Sequence, residues 1–168
     1  MATDPTMRVE YVEMRWMAFL QTLTLTGTPA IRHTEEARIG NLPTSPWGRV
    51  TFRPQTPIRG GRIDATYEAR MMSSRLTVDL FWPNGDDGAA MDLYAPQRAA
   101  SELDAALDGK ALTFFDYAVP AAPVAVTGYY QRIIKPVEVE KRSGTEQYRR
   151  WRVTALIEWI GKAERVPS

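Results

Sequence analysis

Cysteine is absent from this chain, and with it go disulfides, thiolate nucleophiles, Cys-ligated zinc and iron–sulfur clusters. That absence fits a reducing compartment. Histidine occurs once, as His33, so a catalytic triad or a histidine general base would have to be built on it. His33 sits in the strand-like or loop-like stretch AIRHTEEA, and no Gly-x-Ser-x-Gly elbow occurs. It reads as a strand-end or surface histidine. Neither sign of charge is in excess: 21 Lys plus Arg stand against 20 Asp plus Glu, a net charge of +1. A near-neutral balance gives no whole-domain pull toward nucleic acid or an anionic membrane. No stretch approaches the ~20 apolar residues that cross a bilayer. MATDPTMRVEYVEMRWMAFLQTL is too charged for a signal-peptide core. A soluble protein, made in the cytosol and without a membrane partner, is expected. Walker loops, dinucleotide glycine fingerprints and His-x-x-x-His spacings are also missing, so no cofactor and no metal site is expected.

What remains is an ordinary globular composition, 44% hydrophobic and 24% charged over 168 residues, enough for one domain and short for two. Thr3 or Asp4 can cap a first helix, with Pro5 in its first turn. Val9, Val12, Trp16, Phe19 or Leu20, and Leu23 recur at helical steps; Gly27 is the stop. TPAIRHTE reads as a short extended piece. WGRVTFRPQ is a strand with Trp47, Arg49, Thr51 and Arg53 on one face and Val50 and Phe52 on the other. The Gly-rich, Arg-rich segment 53–72 projects, as a loop or as a long hairpin arm. In MSSRLTVDLFWP, Leu76, Val78, Leu80 and Trp82 alternate with polar positions.

A second helix is expected from about Gly88 to Asp108, or from nearer Tyr94, because Pro96 falls inside the pattern. Leu93, Ala99 or Ala100, Leu103, and Ala106 or Leu107 form its buried side, and Gly109 caps its end. ALTFFDYAVP is a strand or a lead-in to one. Two long strands follow, joined by a turn at Arg142-Ser143-Gly144-Thr145, and Pro136 implies an edge or a bulge in the first of them. Trp151, Val153, Ala155, Ile157 and Trp159 make the apolar face of the second. The fold class is therefore α+β. It is a mostly antiparallel β-sheet with two helices packed on one face and a long C-terminal β-hairpin. Residues 1–168 form a single domain, with projections at 53–72 and at the hairpin 135–150.

Two groups of residues invite a chemical reading. Asp86 and Asp87 lie in the turn Pro-Asn-Gly-Asp-Asp-Gly. With Asp79 they would be the carboxylates of a metal-dependent hydrolase. The more economical reading makes Asn84, Gly85, Asp86 and Asp87 a turn and helix cap. The second group is basic. Arg53, Arg59, Arg62 and Arg70 cluster in the Gly-rich segment, and Arg149, Arg150 and Arg152 interleave with Tyr148 and Trp151. Such interleaving can bind single-stranded nucleic acid. The plainer reading pairs these arginines with Glu138, Glu140 and Glu146 across the hairpin. A third reading makes Arg53, Arg59, Arg62, Arg70, Tyr148, Arg149, Arg150 and Trp151 a subunit or partner interface.

The order of the short motifs resembles a known family. Pro46-Trp47-Gly48-Arg49-Val50-Thr51-Phe52 is followed by a Gly-containing segment. Leu76-Thr77-Val78-Asp79-Leu80-Phe81-Trp82-Pro83 and Asn84-Gly85-Asp86-Asp87-Gly88-Ala89 come next. An Ala/Leu-rich helix then leads to Gly128-Tyr129-Tyr130-Gln131 and a closing amphipathic strand. The pattern, from Tyr11 to Trp159, is similar to that of the tail terminator proteins of long-tailed bacteriophages. The resemblance implies a structural virion protein of the tail and neck rather than an enzyme, assembled in the host cytoplasm. It implies a homo-oligomer, a hexameric ring that caps the tail tube and ends its polymerisation. Its partners would be the tail tube protein and a head–tail connector or head-completion protein, with phage DNA in passing contact in the lumen. Other neck proteins, of the tail-completion or head-completion classes, are the neighbouring alternative.

Overall fold

The computed structural model describes residues 9–34, 43–54, 59–62, 67–84, 94–145 and 148–164. At 54, 59–62, 67–70, 135–136 and 161–164 the backbone alone is described. The elements are α1 (Val9–Gln21), β1 (Ala30–His33), β2 (Trp47–Pro54), β3 (Arg59–Arg62), β4 (Tyr67–Pro83), α2 (Ala95–Leu107), β5 (Ala111–Asp116), β6 (Val124–Arg142) and β7 (Tyr148–Glu164). All seven strands join one sheet in the order β1-β2-β4-β7-β6-β5, with β3 also paired to β4. Among the described residues only β1 with β2 is a parallel pair, and the other pairings are antiparallel. The class is α+β, as expected from the strand-rich sequence and its two helical stretches.

The centre of the sheet is the β4–β7 ladder, unbroken from Tyr67–Glu164 to Pro83–Tyr148. Its other flank on β4 is shared. β2 pairs from Trp47–Phe81 to Pro54–Ser74, and β3 continues along β4 from Arg59–Met71 to Arg62–Glu68. Within segment 53–72 the described residues, 53–54, 59–62 and 67–72, are strand. On the far side, β6 meets β7 over Arg132–Glu158 to Ile134–Leu156 and again over Glu138–Thr154 to Arg142–Arg150. The register shifts between Ile134 and Glu138. Pro136, which has no N–H to give a ladder, falls in that interruption.

Because strand side chains alternate, register decides which residues share a face. Val50, Phe52, Leu76, Val78, Leu80, Val153, Ala155, Ile157 and Trp159 belong to one buried cluster. Tyr11, Val12, Trp16 and Leu20 of α1 and Ala99, Ala100, Leu103 and Leu107 of α2 join that cluster. Apart from Tyr11, those are positions the helical spacing marked. Removing one such large apolar side chain from water contributes about 1.5–3 kcal/mol. Trp151, grouped with the apolar face by sequence, is only half-buried at the edge of the cluster.

Of the two expected starts for α2, about Gly88 or nearer Tyr94, the structure has the second. Its N-cap is Tyr94, with no side-chain hydrogen bond, and proline stands in its first turn. Pro96 begins this helix rather than kinking it, since the first-turn N–H it lacks has no helical partner anyway. The expected turn and cap at Gly85, Asp86 and Asp87 lies outside the described residues.

Between α1 and β1 the chain turns on Gly27, at φ 76°, followed by Thr28 at φ 44°. The Thr26 amide and hydroxyl both donate to the Glu102 carboxylate of α2, at 2.6 and 2.7 Å. These hydrogen bonds, the backbone one foremost, lower the Glu102 pKa. A Cβ on Gly27 would stand 2.8 Å from the Trp82 ring, and left-handed backbone costs a non-glycine residue about 1–2 kcal/mol before any clash. Gly27→Ala is therefore expected to lower the unfolding free energy by at least ~1–2 kcal/mol in urea titration; unchanged stability would contradict this packing.

Among the described residues Ser73, Ser74, Asp79 and Gln131 are buried polar side chains. Gln131, the partner of Leu112 in the β5–β6 ladder, is fully buried. Neither amide atom has a hydrogen-bond partner among the described residues. An unpaired buried polar group costs about 1–3 kcal/mol. Gln131→Leu is expected to keep or raise stability by up to about that amount. A clear loss in the same urea titration would show that the amide is engaged.

Candidate functional site

The face of the sheet opposite the apolar cluster is built of cross-strand rows. In the first, Arg49 of β2, Asp79 of β4, Arg152 of β7 and Glu140 of β6 stand in register. In the next, Thr51, Thr77, Thr154 and Glu138 are aligned. In the third, Arg53 faces Arg75, with Leu156 and Ile134 beyond. These rows line a concavity of ≈ 530 Å³.

Asp79 is the anchor of this face. Only 3% of its side chain is exposed. Arg152 donates from Nε to Oδ1 at 2.8 Å and from Nη2 to Oδ2 at 3.1 Å. Arg150 makes the same pair of contacts at 3.2 and 3.0 Å. Arg49 adds Nη2 to Oδ2 at 3.3 Å. Two-pronged guanidinium–carboxylate contacts are the strongest and most directional of protein ion pairs. Burial alone would push the Asp79 carboxyl up. The hydrogen bonds from Arg152 and Arg150, with their charges, outweigh it and hold the group below the usual carboxylate range. The same bonds raise the Arg152 pKa.

Three guanidinium charges on one carboxylate leave a local surplus of two positive charges, tempered by Glu140 across the strand from Arg152. Such a setting repels a divalent cation, so Asp79 is unsuited to the hydrolase reading. Among the described residues no group of three His, Cys, Asp or Glu stands close enough to share a metal.

An aromatic stack closes one end of the face. The Phe81 and Trp47 rings lie 4.2 Å apart and 12° from parallel, and Tyr148 meets both edge-on. The Arg49 and Arg150 guanidiniums sit 5.6 and 5.5 Å from the Phe81 centroid, which favours both cations. Tyr148 is buried and donates its hydroxyl to the Pro43 carbonyl at 2.8 Å.

The structure separates the residues that sequence grouped. Tyr148 and Arg150 are committed to packing and to Asp79 inside the subunit. Trp151 packs against the core and Arg149 is half-buried. Of the hairpin arginines expected to meet cross-strand glutamates, Arg150 and Arg152 turn instead to Asp79, while Glu140 pairs with Arg142 of its own strand at 2.9 Å. Glu146 lies outside the described residues. Arg59, Arg62 and Arg70 stand on the β3–β4 ladder, where the backbone alone is described. Arg53 is exposed on the concave face. Arg49 and Arg75 were missed as site residues, and their signal was their place on the polar face of two strongly alternating strands. His33 ends β1, half-buried, 3.9 Å from Glu13 and stacked 6.1 Å from Phe52. Burial raises the Glu13 pKa.

No family model matches the chain, and no curated protein matches it. Five solved chains do. One is 15% identical, with 95% of this chain and 94% of that one aligned at a TM-score of 0.49, a likeness that carries no weight for function. Among the described residues no helix is long and apolar enough to cross a membrane.

Proposed function

We propose that this chain is a structural protein of the bacteriophage tail and neck. It forms a ring that caps the tail tube, ends tube growth and joins the tail to the head connector. The reading rests first on the ordered motifs between Tyr11 and Trp159 that resemble those of tail terminators. The single structural observation in its favour is the polar sheet face. A broad surface of aligned charged and hydroxyl rows, stiffened by the Asp79 clamp, suits a protein contact better than it suits catalysis. Both helices lie over the other face, and the β6–β7 hairpin extends the sheet toward neighbours. In a closed ring each subunit presents two different surfaces, one to each neighbour. Arginines and aromatics are favoured residues at such contacts. The protein acts without catalysis or cofactor, and its place is the virion.

The test is the state of the purified full chain, followed by its behaviour beside purified tail tubes. Rings in negative-stain images, bound at tube ends, are expected. A protein that stays monomeric and ignores tube ends would overturn the proposal.

A further inference from the structure

The polar face of the sheet has a basic end and an acidic end. Arg53 of β2 and Arg75 of β4 stand directly opposite one another, both exposed and both on the concave face. Like charges in directly opposed positions destabilise a sheet. Elsewhere on this face arginines are answered by acids: Arg49, Arg150 and Arg152 with Asp79, Arg142 with Glu140, and Arg132 with Glu158. Across the concavity Glu138 stands exposed on β6, opposite Thr154. Among the described residues no ion pair joins Arg53, Arg75 or Glu138 to a partner. Two strands lie between β2 and β6, a separation of ~14 Å. At Glu138 the sheet also has an open edge. β5 accompanies β6 only to Arg132, with one further hydrogen bond from the Ile133 amide to the Lys110 carbonyl. Among the described residues no strand pairs with the outer side of 137–142, where Glu138, Val139 and Glu140 are all exposed.

We infer that the Arg53–Arg75 pair is the docking site for Glu138 of a second copy of this chain, so that the β6 edge of one subunit abuts the β2–β4 flank of the next. This rests on the ring reading and names its contact. Asp79 shows what this sheet does with a carboxylate: Arg150 and Arg152 each grip it with two prongs. Arg53 and Arg75 offer a second pair of guanidiniums, and the row of Thr51 and Thr77 beside them supplies hydroxyl donors. Charge complementarity selects the occupant. Glu138 lies on an edge open to a neighbour, and an exposed edge strand is a template for another chain. The basic and acidic ends lie on opposite flanks of one sheet. The contact is therefore heterologous, and repeated around a circle it closes as a ring. Glu138 and Glu140, which share the concavity, would repel a polyphosphate backbone lying along it. This, with the net charge of +1, favours a protein occupant over nucleic acid.

A charge swap within one chain tests this. Sedimentation velocity over a concentration series would compare the wild type, Arg53→Glu/Arg75→Glu, Glu138→Arg, and the triple variant that combines them. Thermal melts would check that each is folded. Arg53→Gln/Arg75→Gln and Glu138→Gln, which remove charge without reversing it, replace any reversal that does not fold. The wild type is expected to assemble. The arginine variant and the glutamate variant should each need at least ~10-fold more protein to do so, as for like charges brought together at an interface. The triple variant should recover most of that loss, because its charges are exchanged rather than removed. Single-site-flank variants that assemble like the wild type would overturn the inference and leave the ring reading standing. So would a triple variant no better than its parents. Salt-sensitive binding of a single-stranded oligonucleotide by the wild type, lost in the arginine variant while assembly persists, would assign the pair to nucleic acid instead. A wild type that never assembles overturns both.

Discussion

Asp79→Ala is expected to be among the most damaging single substitutions in this protein, lowering the unfolding free energy by about 3 kcal/mol. That is the low end of the cost of breaking a buried ion pair, because Arg49, Arg150 and Arg152 keep 37%, 24% and 27% of their side chains exposed. The loss comes less from missing attraction than from three guanidiniums left together without their anion. Asp79→Asn keeps the shape but not the charge, and should recover little of the loss.

The same residue sets a pH dependence. Its folded pKa lies below the ordinary carboxylate value of 3.8, so near that pH the folded state binds fewer protons than the unfolded chain. Its contribution is present above pH 3.8 and is lost as pH falls through the lower folded value. Glu102 acts in the same sense, while Glu13, whose pKa is raised, acts in the opposite one. Comparing wild type with Asp79→Asn cancels both. Urea titrations from pH 6 down to about pH 2 should show the two curves converging in acid. A constant gap would contradict the assignment.

Trp16→Ala is expected to cost about 3–5 kcal/mol, the range for deleting a buried aromatic ring. Trp16 is fully buried where α1 meets the sheet, edge-on to Phe19 at 5.8 Å. Its indole N–H has no hydrogen-bond partner among the described residues, so its value lies in volume rather than polarity. Trp16→Phe, which keeps a ring and drops the unpaired N–H, should therefore cost much less than Trp16→Ala. Chemical denaturation of the two variants decides it. Equal losses would mean that the indole nitrogen matters more than the ring.

Local pattern carried much of this fold. The alternation of Leu76, Val78, Leu80 and Trp82, and the helical stripe through Val12, Trp16 and Leu20, are properties of single elements, and each appears in the core as read. The start of α2 was less legible. Asp86 and Asp87 carry capping chemistry, while the proline that begins the helix sits among residues that also suit its interior. The parallel partnership of β1 with β2 left no trace in four residues of β1.

The candidate site was the least legible part, and the reason is register. Asp79 meets Arg152 only because β4 and β7 pair antiparallel in one frame; a slip of one residue would put Asp79 on the other face. Arg53 and Arg75 look like ordinary strand arginines until the same frame sets them opposite each other. Sequence named Arg150 and Tyr148 as interface residues from their alternation with aromatics. The structure uses both within the subunit.

The decisive measurement is the mass of the purified full chain in solution by light scattering, alone and then with purified tail tubes. A ring-forming terminator should give a mass several times 19.0 kDa, or reach it on meeting tube ends. A mass that stays at 19.0 kDa in both conditions would contradict the proposed function outright.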